Sequence, residues 1–191
     1  KSHDLYKELQ AEERAKVRAR EMEREELEDE SDMEGKGRVA NEAHIKALLR
    51  KVEYHFDHNE VDEAEACVKE LLSLTGNDPH IQHQMGIVYI KRADWVAAER
   101  LYRELTKLKL DAKHFVNLGE ALLMQEKLEQ ALDAYLYGLE MNREYAGNFM
   151  QAGYVYELLG QTKEAKEMYE KALEIEPENG ELRTHVLQMR A

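Results

Sequence analysis

The sequence predicts an all-α chain of stacked helix pairs, and three observations carry that reading. The first is an internal repeat. Gly119, Ala131, Tyr135 and Leu139 stand 34 residues before Gly153, Ala165, Tyr169 and Leu173. Gly86, Ala98, Tyr102 and Thr106 stand a further 33 residues back. Self-similarity at this period marks helix pairs that bury their faces on neighbours. The second is composition: 10 Gly and 2 Pro among 191 residues leave long stretches free to stay helical. The third is apolar periodicity. From Asn41, the residues Ile45, Leu48, Leu49, Val52 and Phe56 recur at three- and four-residue steps, one face of a helix.

Composition also limits function. A net charge of −13 argues against a nucleic-acid partner, because holding phosphates needs a surplus of Lys and Arg on some face. No apolar run is long enough to span a bilayer, and there is no secretory leader pattern. One cysteine, Cys67, excludes an intrachain disulfide and falls on an apolar stripe as a small hydrophobe. The chain begins at Lys1 rather than Met, so it is expected to be a fragment, and an upstream membrane anchor stays open.

Taken in order, residues 1–38 form a charged arm or linker. The block Arg14, Lys16, Arg18 and Arg20 is followed by an acidic run from Glu21 to Glu34, and no heptad holds. Helix propensity is high until Gly35 and Gly37 interrupt it. The domain proper is expected over 39–191. Its first pair (45–78) has Ala64 in phase but Val52 where later pairs have glycine, so it reads as a degenerate N-terminal cap. Gly76 and Asn77 stop that pair, and Pro79 suits the first turn of the next. The second pair covers 79–111, with Trp95 opening its second helix as a packing residue. The third covers 112–145 and the fourth 146–179, the latter closing on Glu176-Pro177. Residues 180–191 place Leu182, Val186, Leu187 and Met189 on one face of a short capping helix.

The repeat resembles the tetratricopeptide family. Gly86, Gly119 and Gly153 match its small eighth residue; Ala98, Ala131 and Ala165 match its alanine at the twentieth. Tyr102, Tyr135 and Tyr169 match its aromatic at the twenty-fourth, while the proline at the thirty-second survives only as Pro177. The resemblance implies a right-handed solenoid of about four pairs, whose first helices line a concave groove that holds a peptide or helix of another protein. Transferred position by position, that groove takes Leu49, Arg50 and Glu53 from the first pair. The second supplies His80, His83, Gln84, Ile87 and Lys91, and the third Lys113, Val116, Asn117, Glu120 and Met124. The fourth supplies Met150, Gln151 and Tyr154. Family members that clamp acidic chaperone tails need Lys and Asn, then Asn, then Lys and Arg. Counted from the second pair, His83, Ile87, Gly147 and Gln151 stand at four of those places and only Asn117 agrees; counted from one pair earlier, the places hold Leu49 and Glu53, then Gln84, then Lys113 and Asn117, so neither phase reproduces the clamp and that ligand is disfavoured.

Chemistry has little support. His55 with His58, and His80 with His83, are spaced to share a helix face, but a metal site would need the two pairs to converge. There is no phosphate-cradling glycine loop, nucleophile elbow or paired-histidine protease motif. The reading is therefore a non-enzymatic scaffold or adaptor, without cofactor or metal, that binds a protein or peptide partner. It is placed in the cytoplasm, or tethered to a membrane by a segment upstream of Lys1. The alternative is a self-assembling or membrane-tethered module, a homo-oligomer whose groove is filled by the arm of the same or another copy.

Overall fold

In the computed structural model of the chain, residues 41–108 and 111–189 are described, and all regular structure among them is helical. The arm expected over residues 1–38 lies outside the described residues. The chain divides after residue 50 into two units. In the first, 41–50 are helical, with Leu48 buried; the helix numbered α1 covers 41–57. In the second unit follow α2 (Val61–Thr75), α3 (Pro79–Lys91), α4 (Trp95–Lys107), α5 (Ala112–Leu123), α6 (Leu128–Met141), α7 (Ala146–Leu158), α8 (Thr162–Ile175) and α9 (Gly180–Gln188). Each of α2 to α9 packs on its neighbours in sequence.

Local chemistry explains where the helices begin. Asp78 accepts the His80 N–H at 2.8 Å with Pro79 in the first turn, Asp94 accepts from Ala97, and Asp111 accepts from Lys113 at 2.9 Å. Each caps a donor that the helix itself leaves free. Asn179 does the same for α9 through the Leu182 N–H.

The turns inside the pairs share one conformation. Asn59, Ala93, Glu126 and Gly160 all adopt the left-handed state, with φ of 57°, 56°, 61° and 73°. In each, the next residue's N–H reaches back five places: Glu60 to His55, Asp94 to Tyr89, Lys127 to Leu122 and Gln161 to Tyr156, at 2.8–3.0 Å. This satisfies the last carbonyls of the first helix and sends the chain back along it. Asn59 and Gly160 suit that state; Ala93 and Glu126 adopt it at a cost.

The core is organised by glycine under tyrosine. A Cβ on Gly86 would meet the Tyr102 ring at 2.5 Å, one on Gly119 the Tyr135 ring at 2.8 Å, and one on Gly153 the Tyr169 ring at 2.7 Å. The ring fills the space that the missing side chain leaves, so the two helices of each of these pairs cross closely at that point. In the degenerate first pair Val52 and Val68 occupy these two places and both are buried. Bulk has moved from one partner to the other. The alanines at the twentieth position, Ala64, Ala98, Ala131 and Ala165, are fully buried. Trp95 and Cys67 are half-buried rather than enclosed. The apolar core runs from Ala98 to Val186 and includes Leu182 and Val186 of α9, which packs on α8.

Candidate functional site

The groove candidates fall into three environments. Arg50, Glu53, His80, Lys91, Lys113, Met124, Gln151 and Tyr154 are exposed. Leu49, Gln84, Ile87, Val116, Glu120 and Met150 are half-buried. His83 and Asn117 turn toward protein and join a polar cluster. In it the Tyr102 hydroxyl donates to the His83 carbonyl at 3.3 Å and accepts from Asn117 Nδ2 at 2.9 Å. The His83 ring lies 5.2 Å from that of His114 and 5.8 Å from that of Tyr102. Sequence reasoning passed over His114, which is only 4% exposed.

Burial sets the electrostatics of this cluster. It pushes His83 down to about 4, helped by His114 alongside, and it lowers His114 as well. Both imidazoles are held neutral, and their buried Nδ1 atoms have no hydrogen-bond partner. Burial also raises the Glu120 carboxyl and the Tyr102 hydroxyl above their ordinary values.

Asn117 also borders a cavity of about 480 Å³ between α5 and α7. The candidates Lys113 and Val116 line it, together with Asp111, Ala112, Asn142, Tyr145 and Asn148. The last three were not singled out in the sequence. A signal for Asn148 exists: it stands four and seven residues before Ala152 and Val155, on the apolar face of α7. Asn148 is 4% exposed, yet its side chain makes no hydrogen bond to any described residue. The Tyr145 ring forms one wall, lying so close over Gly147 that a Cβ there would sit 2.7 Å from it. The other candidates do not line this cavity.

The histidine pairs do not converge. His55 Nδ1 bonds Glu60 at 2.7 Å, His58 bonds the Tyr54 carbonyl and stacks on its ring, and His83 faces His114. Among the described residues no three His, Cys, Asp or Glu side chains are placed to hold a metal. No described helix is long and apolar enough to cross a membrane.

Comparison with known proteins agrees with the fold and the repeat. The model of the tetratricopeptide repeat matches residues 146–179. The cell division cycle protein 16 homolog of Homo sapiens is 26% identical over 140 residues, 68% of this chain and 22% of that protein. The chain thus spans about a fifth of the length of the curated relatives it matches. Among solved structures, MamA from Desulfovibrio magneticus superimposes with a TM-score of 0.67 at 22% identity, covering 76% of this chain and 83% of that one. YrrB, a tetratricopeptide protein with an unusual peptide-binding site, gives a TM-score of 0.63 at 21% identity, covering 75% of this chain and 74% of that one. At these identities the structures speak for the fold alone. The family model identifies residues 146–179 as a tetratricopeptide repeat, and the structures agree with an all-α fold built of helical repeats.

Proposed function

We propose that the chain is a non-enzymatic interaction scaffold that binds a peptide or helix of a partner protein across the first helices of its pairs. The cavity between α5 and α7 is the centre of that surface. The observation that carries the reading is the cavity itself: about 480 Å³, with one cation, one carboxylate, amide groups and an aromatic wall, and with an Asn148 that is 4% exposed and whose side chain makes no hydrogen bond to any described residue. An amide that faces a cavity without a protein partner is open to a ligand's hydrogen bonds. A second cavity, of about 490 Å³ between α3 and α4, is bordered by Leu72, Met85, Tyr89 and Leu101 and has no buried amide. The peptide-binding site named for YrrB supports the same use of a similar fold. The cytoplasm, or a membrane surface reached through an upstream tether, is the setting this reading assigns.

The test is peptide selection from a display library against residues 1–191, followed by anisotropy titration of the selected peptides. Val116→Trp fills the cavity from a half-buried position and should weaken selected peptides at least tenfold. Unchanged affinity would remove the cavity from the binding surface. Light scattering of 1–191 and 41–191 belongs with the experiment. An oligomer that becomes a monomer on truncation would favour the arm as the occupant and displace the scaffold reading.

A further inference from the structure

We infer that a cavity among α6, α7 and α8 is a second interaction site, one that takes an aromatic side chain from an acidic segment of a partner protein. It is separate from the α5–α7 cavity, and none of the first-helix groove candidates lines it. Its starting point is the repeat. Leu139, Phe149, Met168 and Lys171 border this cavity, which holds about 300 Å³. Each stands 67 residues after a residue that lines the cavity between α3 and α4, namely Leu72, Gln82, Leu101 and Glu104. The same crevice is therefore present twice, two repeats apart.

The register between them shows what fills such a crevice. Phe115 and Tyr137 stand 34 residues before Phe149 and Lys171. There the two rings meet, with centroids 5.9 Å apart and planes at 30°, within the range of favourable aromatic pairs. Tyr137 is 58% exposed, so it lies on Phe115 at the surface rather than in the core. One repeat later Phe149 keeps the first ring and Lys171 replaces the second, and the space that both border is the cavity. Met168 stands where Ala134 stood, adding a thioether suited to an aromatic neighbour. A ring from a partner completes the pair that Phe115 and Tyr137 make within the chain. At the cavity between α3 and α4, Gln82 and Glu104 hold these two places, and neither ring is present.

The rim assigns the rest of the ligand. Arg143 and Lys171 are exposed, and neither forms an ion pair with any described residue. Glu140 is the one acid on the lining. On a chain of net charge −13 this is a local excess of positive charge beside an apolar floor. Acidic residues flanking the aromatic one meet these cations favourably, and flanking lysines do not. The anchor is the ring, and the cations come from α8 and the turn after α6, not from the first helices that the disfavoured acidic-tail clamp would use.

The experiment is an NMR titration of the full chain with its methionine methyl groups labelled, the Met168 signal being assigned by its loss in Met168→Leu. The probes are three blocked tripeptides: Asp-Tyr-Asp, Asp-Leu-Asp and Lys-Tyr-Lys. Asp-Tyr-Asp should move the Met168 signal saturably, about tenfold more tightly than either of the others. Lys171→Tyr, at an exposed position, rebuilds the ring pair within the chain; it should abolish the response without lowering the melting temperature. Lys171→Gln should weaken the preference for acidic flanks and keep that for tyrosine over leucine. No saturable movement of Met168, equal response to the tyrosine and leucine probes, or a response that survives Lys171→Tyr overturns the site. Equal response to acidic and basic flanks overturns the ligand class assigned to it. Val116→Trp should leave the Met168 response intact, and its loss there would overturn the separation of the two sites. Because Val116→Trp tests the α5–α7 cavity and Lys171→Tyr tests this one, the scaffold reading and this inference can each fail without the other.

Discussion

Two residues settle each helix crossing, and they do so by exchanging volume. Because a Cβ at Gly119 would sit 2.8 Å from the Tyr135 ring, the ring or the backbone must move to admit it. Overpacking of this kind costs about 1–3 kcal/mol, and Gly119→Leu should lie at or above the top of that range. Urea unfolding of the variant checks this, and an unchanged midpoint would refute the packing account. The turns make the opposite prediction. Ala93 holds φ at 56° where glycine would be unstrained, so Ala93→Gly should be neutral or stabilising by up to about 1 kcal/mol despite glycine's freedom in the unfolded chain. The same exchange at Ala98, fully buried in a helix, should destabilise. A melting curve for each distinguishes a turn effect from a general glycine effect.

At the scale of elements, polar groups tie successive pairs together. Glu99 of α4 accepts from Lys127 Nζ at 2.6 Å and from Gln125 Nε2 at 2.9 Å, in the turn between α5 and α6. Burial opposes the charge on Glu99, but bonds from Lys127, Arg103 and Gln125 prevail and keep its carboxyl below the ordinary value. At the other end the Tyr169 hydroxyl donates to Glu157 at 2.7 Å, and His185 of α9 lies 3.1 Å from the same carboxylate. The contact between α3 and α5 is the acid-sensitive one. His83 there faces His114 and Tyr102, with His80, Asp111 and Lys113 contributing charge nearby. Burial, and then His114, put its folded value near 4 against an ordinary 6.5. Between these limits the unfolded chain binds the proton more readily, so stability falls as pH drops from about 6.5 toward 4 and levels off below. The expected loss is roughly 1–2 kcal/mol, less than the full shift implies because the ring is only partly enclosed. Unfolding midpoints across this window should slope for the parent and flatten for His83→Gln; parallel slopes would refute the assignment.

At the scale of the molecule, α2 to α9 are bound mainly by contacts between helices adjacent in sequence, so each pair is stable because the next one covers it. The arrangement leaves the last pair in need of a cover, which α9 supplies with Leu182 and Val186. It also explains how the proposed binding surface arises without any motif of its own. Lys113 and Asn117 belong to α5, while Tyr145 and Asn148 belong to the start of α7, and only stacking brings them around one cavity. The proposed scaffold role is thus a property of two adjacent repeats rather than of either one.

Period, helix content, crossing glycines, buried alanines and tyrosines were legible in the chain because each repeats in phase, and repetition turns weak local preferences into a strong pattern. The left-handed turns at Asn59 and Gly160 were half-visible, since those residue types favour the state; at Ala93 and Glu126 nothing in the residue announces it, and the need to reverse the chain imposes it. Lys113, Val116 and Asn117 were named from repeat position, but their shared cavity was not. His114 and Tyr145 were not named, and Asn148 shows only its place on the apolar face of α7, because the surroundings of each are set by the helices that meet at the cavity and at the His83 cluster. The sequence by itself determined the repeating helix pairs, through side-chain volume and helical period. Only the tertiary structure decided which polar groups lose water and which meet across a cavity, because burial and proximity between helices are set by how the repeats stack.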